Sequence, residues 1–286
     1  MGLGNLVAQA VSSTSLKKIL QDRYLTVEEY PWLTSESRVR GSKFPEICPR
    51  EEVLIAKEKL VRKREITPDF FLALEAGKAL HHQVQNSMLP GAGVLFGEWE
   101  CTRCGKHVGV KKNGVPADQY AVKRPERCDR CENEFFRFHE YHFTNDEYRI
   151  DGHSDGMLSI AGLNGLGIFE LKSISAKGAW QIRNVPQMDH VVQTHIYLWL
   201  SGLNWAKIVY WDKATFGMAG IIEHTVERDE ETIERIKNTL RALWSGIESG
   251  IPPLTRICAN DEAPRAKNCL VCKPCFETPA EEPKDE

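Results

Sequence analysis

The chain has 286 residues, 42% of them hydrophobic and 27% charged, a composition that supports one sizeable core with an appendage or two modest domains and excludes a fibrous or low-complexity chain. Its start, MGLGNLVAQAVSSTSLKK, has neither the basic head nor the apolar core of a signal peptide, Leu6 stands where a myristoylation motif needs Ser or Thr, and the run Ile196 to Leu200 is too short to span a bilayer. A soluble, cytoplasmic protein with no membrane partner is expected, and a net charge of −3 excludes a general polycation.

Residues 1–43 read as a weakly patterned N-terminal extension with one helix near 15–22. From Pro49, PREEVLIAKEKLVRKRE is amphipathic and helical. A second helix is predicted from Pro68 to Met88, with Phe71, Leu74, Leu80, Val84 and Met88 facing a core. Gly77 interrupts it at a cost of about 1 kcal/mol relative to Ala. Two strand-like runs, VLFGEWE and FFRFHEYHF, flank a cysteine-bearing segment, 101–134, which reads as an insertion at a hairpin. Strands follow at 147–151, 155–161 and 167–173, then a helix over 187–202, strands at 205–212 and 218–226, and a helix over 229–248. The end, 277–286, is acidic and proline-containing and is expected to be disordered. This order predicts an α/β fold, a mixed central sheet flanked by helices.

Charge is unevenly spread. Between Cys101 and Arg137 nine basic residues face five acids, a local surplus of four that leaves −7 on the remainder. Lys106, Lys111, Lys112, Lys123 and Arg124 on this island are candidate contacts for a nucleic-acid backbone, although a solvated loop would look much the same.

Nine cysteines without a secretory signal favour metals over disulfides. Cys101-x2-Cys104 and Cys128-x2-Cys131, 23 residues apart, have the two-knuckle spacing of a zinc ribbon, four thiolates closing a tetrahedral site. Cys269-x2-Cys272-x2-Cys275 repeats the triplet spacing that lets three thiolates reach one iron–sulfur cubane. The fourth ligand is not fixed by spacing, and a second zinc site on Cys258, Cys269, Cys272 and Cys275 is the alternative.

The stretch GIFELKSISAKG, 167–178, looks like a buried strand, yet Glu170 and Lys172 lie two residues apart and so share a face. Upstream, Asp155 in YRIDGHSDGML opens the preceding strand, and a hairpin through AGLNGLG would bring it to Glu170. Two carboxylates and a lysine suit a hard divalent cation, Mg²⁺ or Mn²⁺, acting on a phosphate. GLGIFELKS has no glycine directly before its lysine, so it is not a nucleotide-binding phosphate loop.

Asp155 with Glu170-Leu171-Lys172 resembles the Asp…Glu-x-Lys signature of PD-(D/E)xK nucleases. Three further motifs are similar to the RecB-type branch, which includes CRISPR-associated RecB-like and phage recombination exonucleases. Gly77-Lys-Ala-Leu-His81 resembles its Gly-x-x-x-His, Gly152-His-Ser-Asp155 its Gly-x-x-Asp, and Gln193-Thr-His-Ile-Tyr197 its Gln-x-x-x-Tyr. The resemblance covers residues 44–276 less the insertion. It implies a restriction-endonuclease-like core and a metal held by His81, Asp155, Glu170 and the Leu171 carbonyl. Lys172 would be the catalytic lysine, with Gln193 and Tyr197 beside it. In many RecB-type nucleases a cysteine ahead of the core joins three near the end of the chain to hold a [4Fe-4S] cluster. Cys48, before Pro49, resembles that leading cysteine and favours a cluster on Cys48, Cys269, Cys272 and Cys275, with Cys258 competing; the last gap here is narrower than the family's usual one. The implied activity is metal-dependent exonucleolytic hydrolysis of DNA in recombination or end processing. A flap or structure-specific endonuclease is the alternative on the same site, and a non-catalytic DNA-end binding adaptor is the alternative of another class. DNA is the implied partner, and a helicase or single-strand annealing protein a candidate companion.

Overall fold

A computed structural model describes residues 15–279 apart from residue 216. The expected disordered tail falls from residue 280 onward outside the described residues, as does the chain before residue 15.

Helix α1 (Leu16–Tyr24) leads to strand β1 (Thr26–Tyr30) and the short β2 (Val39–Arg40). Helix α2 (Pro49–Glu58), β3 (Arg62–Ile66) and helix α3 (Pro68–Gln83) follow, and α3 runs on into a π-helical turn at Val84–Met88. Strands β4 (Leu95–Cys101), β5 (His107–Val108), β6 (Val122–Lys123), β7 (Phe136–His139), β8 (His142–Asn145), β9 (Ile150–His153), β10 (Gly156–Leu158) and β11 (Gly167–Ile174) come next. The chain continues through α4 (Ala176–Gln181), α5 (Met188–Ser201), β12 (Trp205–Asp212), β13 (Ile221–Glu227) and the long α6 (Glu230–Ser249), ending in α7 (Pro264–Lys267) and α8 (Cys272–Glu277).

The central sheet is mixed, in the order β13-β12-β11-β10-β4-β5, with β6 and β7 also paired to β4. Among the described residues only β11 and β12 run parallel within it, Glu170 lying opposite Ile208. Their connection passes through α5, the crossover that a parallel pair requires. A smaller sheet, β2-β9-β8, lies on the far side of α5, which is thus enclosed between two sheets.

Strand alternation divides the core. Ile168, Ile208 and Tyr210 face α5 and pack with Ile196, Leu198, Leu240 and Trp244. Phe169, Leu171 and Trp205 point the other way, onto Leu95, Trp99 and Phe138. Large side chains of this kind contribute about 1.5–3 kcal/mol each when fully buried. A third, smaller core joins Leu54 and Ile55 of α2 to Val271 near the chain's end. Arg50, fully buried on α2, reinforces it by donating to the carbonyls of Pro253, Cys275, Thr278 and Pro279.

Several expected elements shift for local reasons. The helix expected over 68–88 is capped at Thr67, whose side chain accepts from Phe70 N. It buries no residue as far as Gln83, and Leu74 and Met88, expected inside, are 45% and 42% exposed. The helix walls an open cleft, so the apolar positions Phe70 and Leu74 line that cleft and not a core. The strand expected at 147–151 starts at Ile150, because the turn before it places Arg149 at φ 46. The strand expected at 218–226 starts at Ile221, after a 3-10 turn over Gly217–Gly220. Asp155 stands one residue ahead of β10. Among the described residues no helix is long and apolar enough to cross a membrane.

Candidate active site

Two motif glycines bring the elements of the site together. A Cβ on Gly77 would lie 3.2 Å from Ser173 Oγ, so α3 can press against the end of β11. A Cβ on Gly152 would lie 2.5 Å from Tyr197 Cε1, inside the ring's van der Waals envelope. That glycine lets β9 rest on α5 with Tyr197 between them. Gly152→Ala should force the ring aside and cost about 1–3 kcal/mol, the usual range for overpacking, read as a lowered denaturant midpoint with an unchanged slope.

The β10–β11 hairpin sets Gly156 opposite Phe169, and one residue further along places Asp155 beside Glu170. Asp155 Oδ2 accepts from the Leu171 amide across 2.7 Å, and Oδ1 accepts from His81 Nδ1 on α3 across 3.0 Å. Glu170 is 3% exposed. Its Oε1 receives Lys172 Nζ at 2.7 Å and Gln193 Nε2 at 2.9 Å. Lys172 Nζ also donates to Gln193 Oε1 at 2.9 Å, and Gln193 Nε2 to Tyr197 Oη at 2.8 Å. One helical turn separates Gln193 from Tyr197, which is why both reach the same strand. Glu170 Oε2 is buried with no hydrogen-bond partner.

Burial pushes the Glu170 carboxyl above its ordinary value, against the pull of the Lys172 ammonium and with the help of Asp155. Burial works against a charged His81, yet the hydrogen bond and charge of Asp155, followed by Glu170 and Glu140, raise it overall. Burial also drives Tyr197 well above the usual phenol range, so it acts as a neutral hydroxyl.

These groups border an open cleft of about 1050 Å³ whose lining includes His81, Glu170, Leu171 and Lys172. Three residues that carried no sequence signal belong to the arrangement. Gln85, on the π-helical turn, donates to Glu140 and to the Asp155 carbonyl. Glu140, read as the middle of one long strand, sits at the bend between β7 and β8. His190, one turn ahead of Gln193, bonds Tyr210 Oη at 2.9 Å, and burial with the Lys172 charge lowers it to about 4.

The cysteines separate into two places. β4 and β7 pair with Cys101 opposite Phe136, so the 101–134 segment grows from the end of that hairpin. There the sulfurs of Cys101, Cys104, Cys128 and Cys131 lie within 4.8 Å of one another. Cys101–Cys131 and Cys104–Cys128 are 3.5 and 3.7 Å apart. Cys101 is held below the ordinary thiol value because amide N–H groups of Cys104 and Arg103, with Asn133, outweigh its burial.

Elsewhere Cys48, the N-cap of α2, shares one small pocket with Cys258, Cys269, Cys272 and Cys275. Burial raises Cys48 and Cys272, and pushes Cys269 up to about 11.

The basic island is partly engaged. Lys106 pairs with Asp129, Lys111 donates to the His142 carbonyl, and Lys123 lies over the Phe96 ring. Lys112 and Arg124 have no such partner among the described residues.

No family model matches the chain, and no curated protein does. Among solved structures, it is similar to an alkaline exonuclease from Laribacter hongkongensis at 13% identity and a TM-score of 0.47, covering 75% of this chain and 89% of that one. A structure of the same exonuclease in complex with dAMP gives 13% and 0.46 over the same shares. A phage-related exonuclease from Haemophilus somnus 129PT gives 15% and 0.29, over 38% of this chain and 58% of that one.

Proposed function

We propose that the chain is a divalent-metal-dependent deoxyribonuclease, an exonuclease of the RecB type acting on DNA ends. The observation that carries this reading is the buried, unpartnered Oε2 of Glu170 beside Asp155, His81 and Lys172. An orphaned buried carboxylate oxygen costs about 1–3 kcal/mol or more, and a cation relieves that cost. The donor set fits: carboxylates suit Mg²⁺ or Mn²⁺, and an imidazole favours the latter. Asp155, Glu170, the Leu171 carbonyl and His81 would hold the ion. When bound, it polarises a phosphate and makes a bound water a better nucleophile.

The chain's own groups prepare the rest. Lys172 carries three donors; two are taken by Glu170 and Gln193, and the third is left for a water or a phosphate oxygen in the cleft. Gln193, fixed by Tyr197, keeps the ammonium at that spot. Gly77 sets the position of His81 and Gly152 that of Tyr197, so the four motifs act as one unit.

The ribbon cysteines support a structural zinc. Zinc–thiolate bonds of about 2.3 Å in a tetrahedron require sulfur separations of about 3.8 Å, close to the two distances above. The second set supports a [4Fe-4S] cluster instead of a second zinc, because its sulfurs share one pocket without forming a comparably tight group among the described residues. A cubane holds its ligands further apart than a single ion does. Of the basic island, Lys112 and Arg124 are without an ion-pair or hydrogen-bond partner among the described residues, and Arg137 lines the cleft itself, so these three are the candidate contacts for a DNA backbone.

Asp155→Asn and Glu170→Gln keep size while removing ligand charge; at 155 the amide keeps one of the two acceptors that the Leu171 amide and His81 use. Both proteins should retain wild-type circular dichroism and lose manganese-dependent cleavage of linear DNA. Wild-type turnover by either would remove the metal from this site.

A further inference from the structure

One wall of the cleft takes no part in the chemistry proposed above. Helix α3 lines it with Phe70, Ala73, Leu74 and Gly77 before reaching His81. These positions recur every three or four residues, so they form a single face. Phe70 is 39% exposed and Leu74 45%. From Phe70 to His81 the face runs about 16 Å, at 1.5 Å per residue. The Arg64 guanidinium lies over the Phe70 ring, 4.4 Å from its centre, which adds a positive charge at the end of the strip far from His81.

The other elements bring mainly polar and cationic groups to the same cleft. Arg137 and His139 come from β7, His153 from β9, Lys172 from β11, and Lys213 from the turn just after β12. Arg137 and Lys213 are exposed, and the acid nearest Arg137, Glu100, is 3.9 Å away. The acids in the lining, Glu140 and Glu170, lie at the His81 end. The cleft therefore joins an apolar strip to a set of outward-reaching cations. A duplex turns its phosphates outward and keeps its base faces stacked inside, so it has nothing to lay on such a strip. An unpaired strand has both surfaces, base faces that stack and a charged backbone.

We propose that the cleft selects single-stranded DNA, whose bases lie on Phe70 and Leu74 of α3 and whose phosphates turn toward Arg137 and Lys213. The strand is thereby led along α3 to the position beside Lys172. This inference rests on the nuclease reading and deepens it by naming the substrate class. Stacked bases repeat about every 3.4 Å along a strand, so the strip has room for about four of them. A blunt duplex would enter only after its terminal pairs open.

Fluorescence anisotropy tests it, on the full-length protein with its cysteine sites loaded and without added Mg²⁺ or Mn²⁺, so that nothing is cut. The probes are a labelled oligothymidylate, which does not pair with itself, and a blunt hairpin duplex. Wild type should bind the single strand more tightly than the duplex. Phe70→Ala should weaken single-strand binding by about 5- to 150-fold, the range spanned by base–aromatic stacking. Leu74→Ala should weaken it less, and Phe70→Trp should restore it, which a merely structural role for Phe70 would not require. Both side chains are exposed, so the variants should fold, and circular dichroism checks this. With Mn²⁺ added, the Phe70→Ala loss should appear in KM and not in kcat. Single-strand binding unchanged by Phe70→Ala, or a blunt duplex bound and cut as well as the single strand, overturns the inference and leaves the nuclease reading standing. Selective binding that depends on Phe70, without cleavage in either metal, would keep the strand site and end the nuclease reading.

Discussion

Lys172→Ala should lower DNA cleavage by about 10²- to 10⁴-fold, the usual worth of a group that positions or activates a reacting water, while manganese and DNA still bind. Among the described residues the ammonium is the only cation paired with Glu170, and its side chain is 21% exposed beside one that is 5% exposed. Removing it leaves a buried carboxylate without its counter-charge, so some stability is lost too. Lys172→Met, which keeps the methylene bulk, separates the two effects, because it should stay folded and remain equally inactive. An exposed ion pair with no chemical task would be worth at most about 1 kcal/mol, and its loss would leave turnover nearly intact. Single-turnover cleavage by both variants, folded and loaded with metal, distinguishes the cases.

Cys48→Ser should prevent assembly of the proposed iron–sulfur cluster and release the end of the chain. Cys48 caps α2, and its pocket partners come from residues 258–275, so the cluster would tie segments more than two hundred residues apart. Closing so long a loop restricts the unfolded chain strongly, and metal sites of this kind contribute folding free energy directly. Anaerobically purified wild type should be brown and contain about four irons per chain. Cys48→Ser should be colourless, and residues beyond 250 should be cut readily by protease. Arg50 still holds the Cys275, Thr278 and Pro279 carbonyls, so release will be partial while that side chain remains. The same substitution in Cys258 decides which thiols ligate: colour retained there and lost in Cys48→Ser supports the Cys48 set. Wild-type protein that carries only zinc after anaerobic reconstitution would overturn the cluster.

Local patterns carried most of the fold into the sequence. Strands β4, β11 and β12 and helices α5 and α6 stand where periodicity and turn residues put them, because each buries a continuous face and its pattern reports it. Helix α3 misled on Leu74 because apolar spacing reports a non-aqueous face without saying whether core or cleft adjoins it. Strand ends moved where a single backbone conformation decided the turn, as at Arg149 with φ 46.

The motif residues form two hydrogen-bonded sets, His81 with Asp155 and Lys172 with Glu170, Gln193 and Tyr197, which meet at the Leu171 amide that Asp155 accepts from. Gln85, Glu140 and His190 escaped because their relation to the site is purely spatial. Glu140 lay within an apparently continuous strand whose bend at 140–141 has no glycine or proline to mark it. The basic island was legible as charge alone. That Lys106, Lys111 and Lys123 are occupied by Asp129, a carbonyl and an aromatic ring depends on how residues 101–134 fold.

The most direct measurement is cleavage of end-labelled linear DNA, single- and double-stranded, by the purified full-length protein with Mg²⁺ or Mn²⁺ and with chelator, beside a closed circular control. The expected result is metal-dependent release of short products from linear DNA, abolished by chelator, with circular DNA left intact. Folded protein with its cysteine sites filled that leaves every linear substrate uncut in both metals would contradict it.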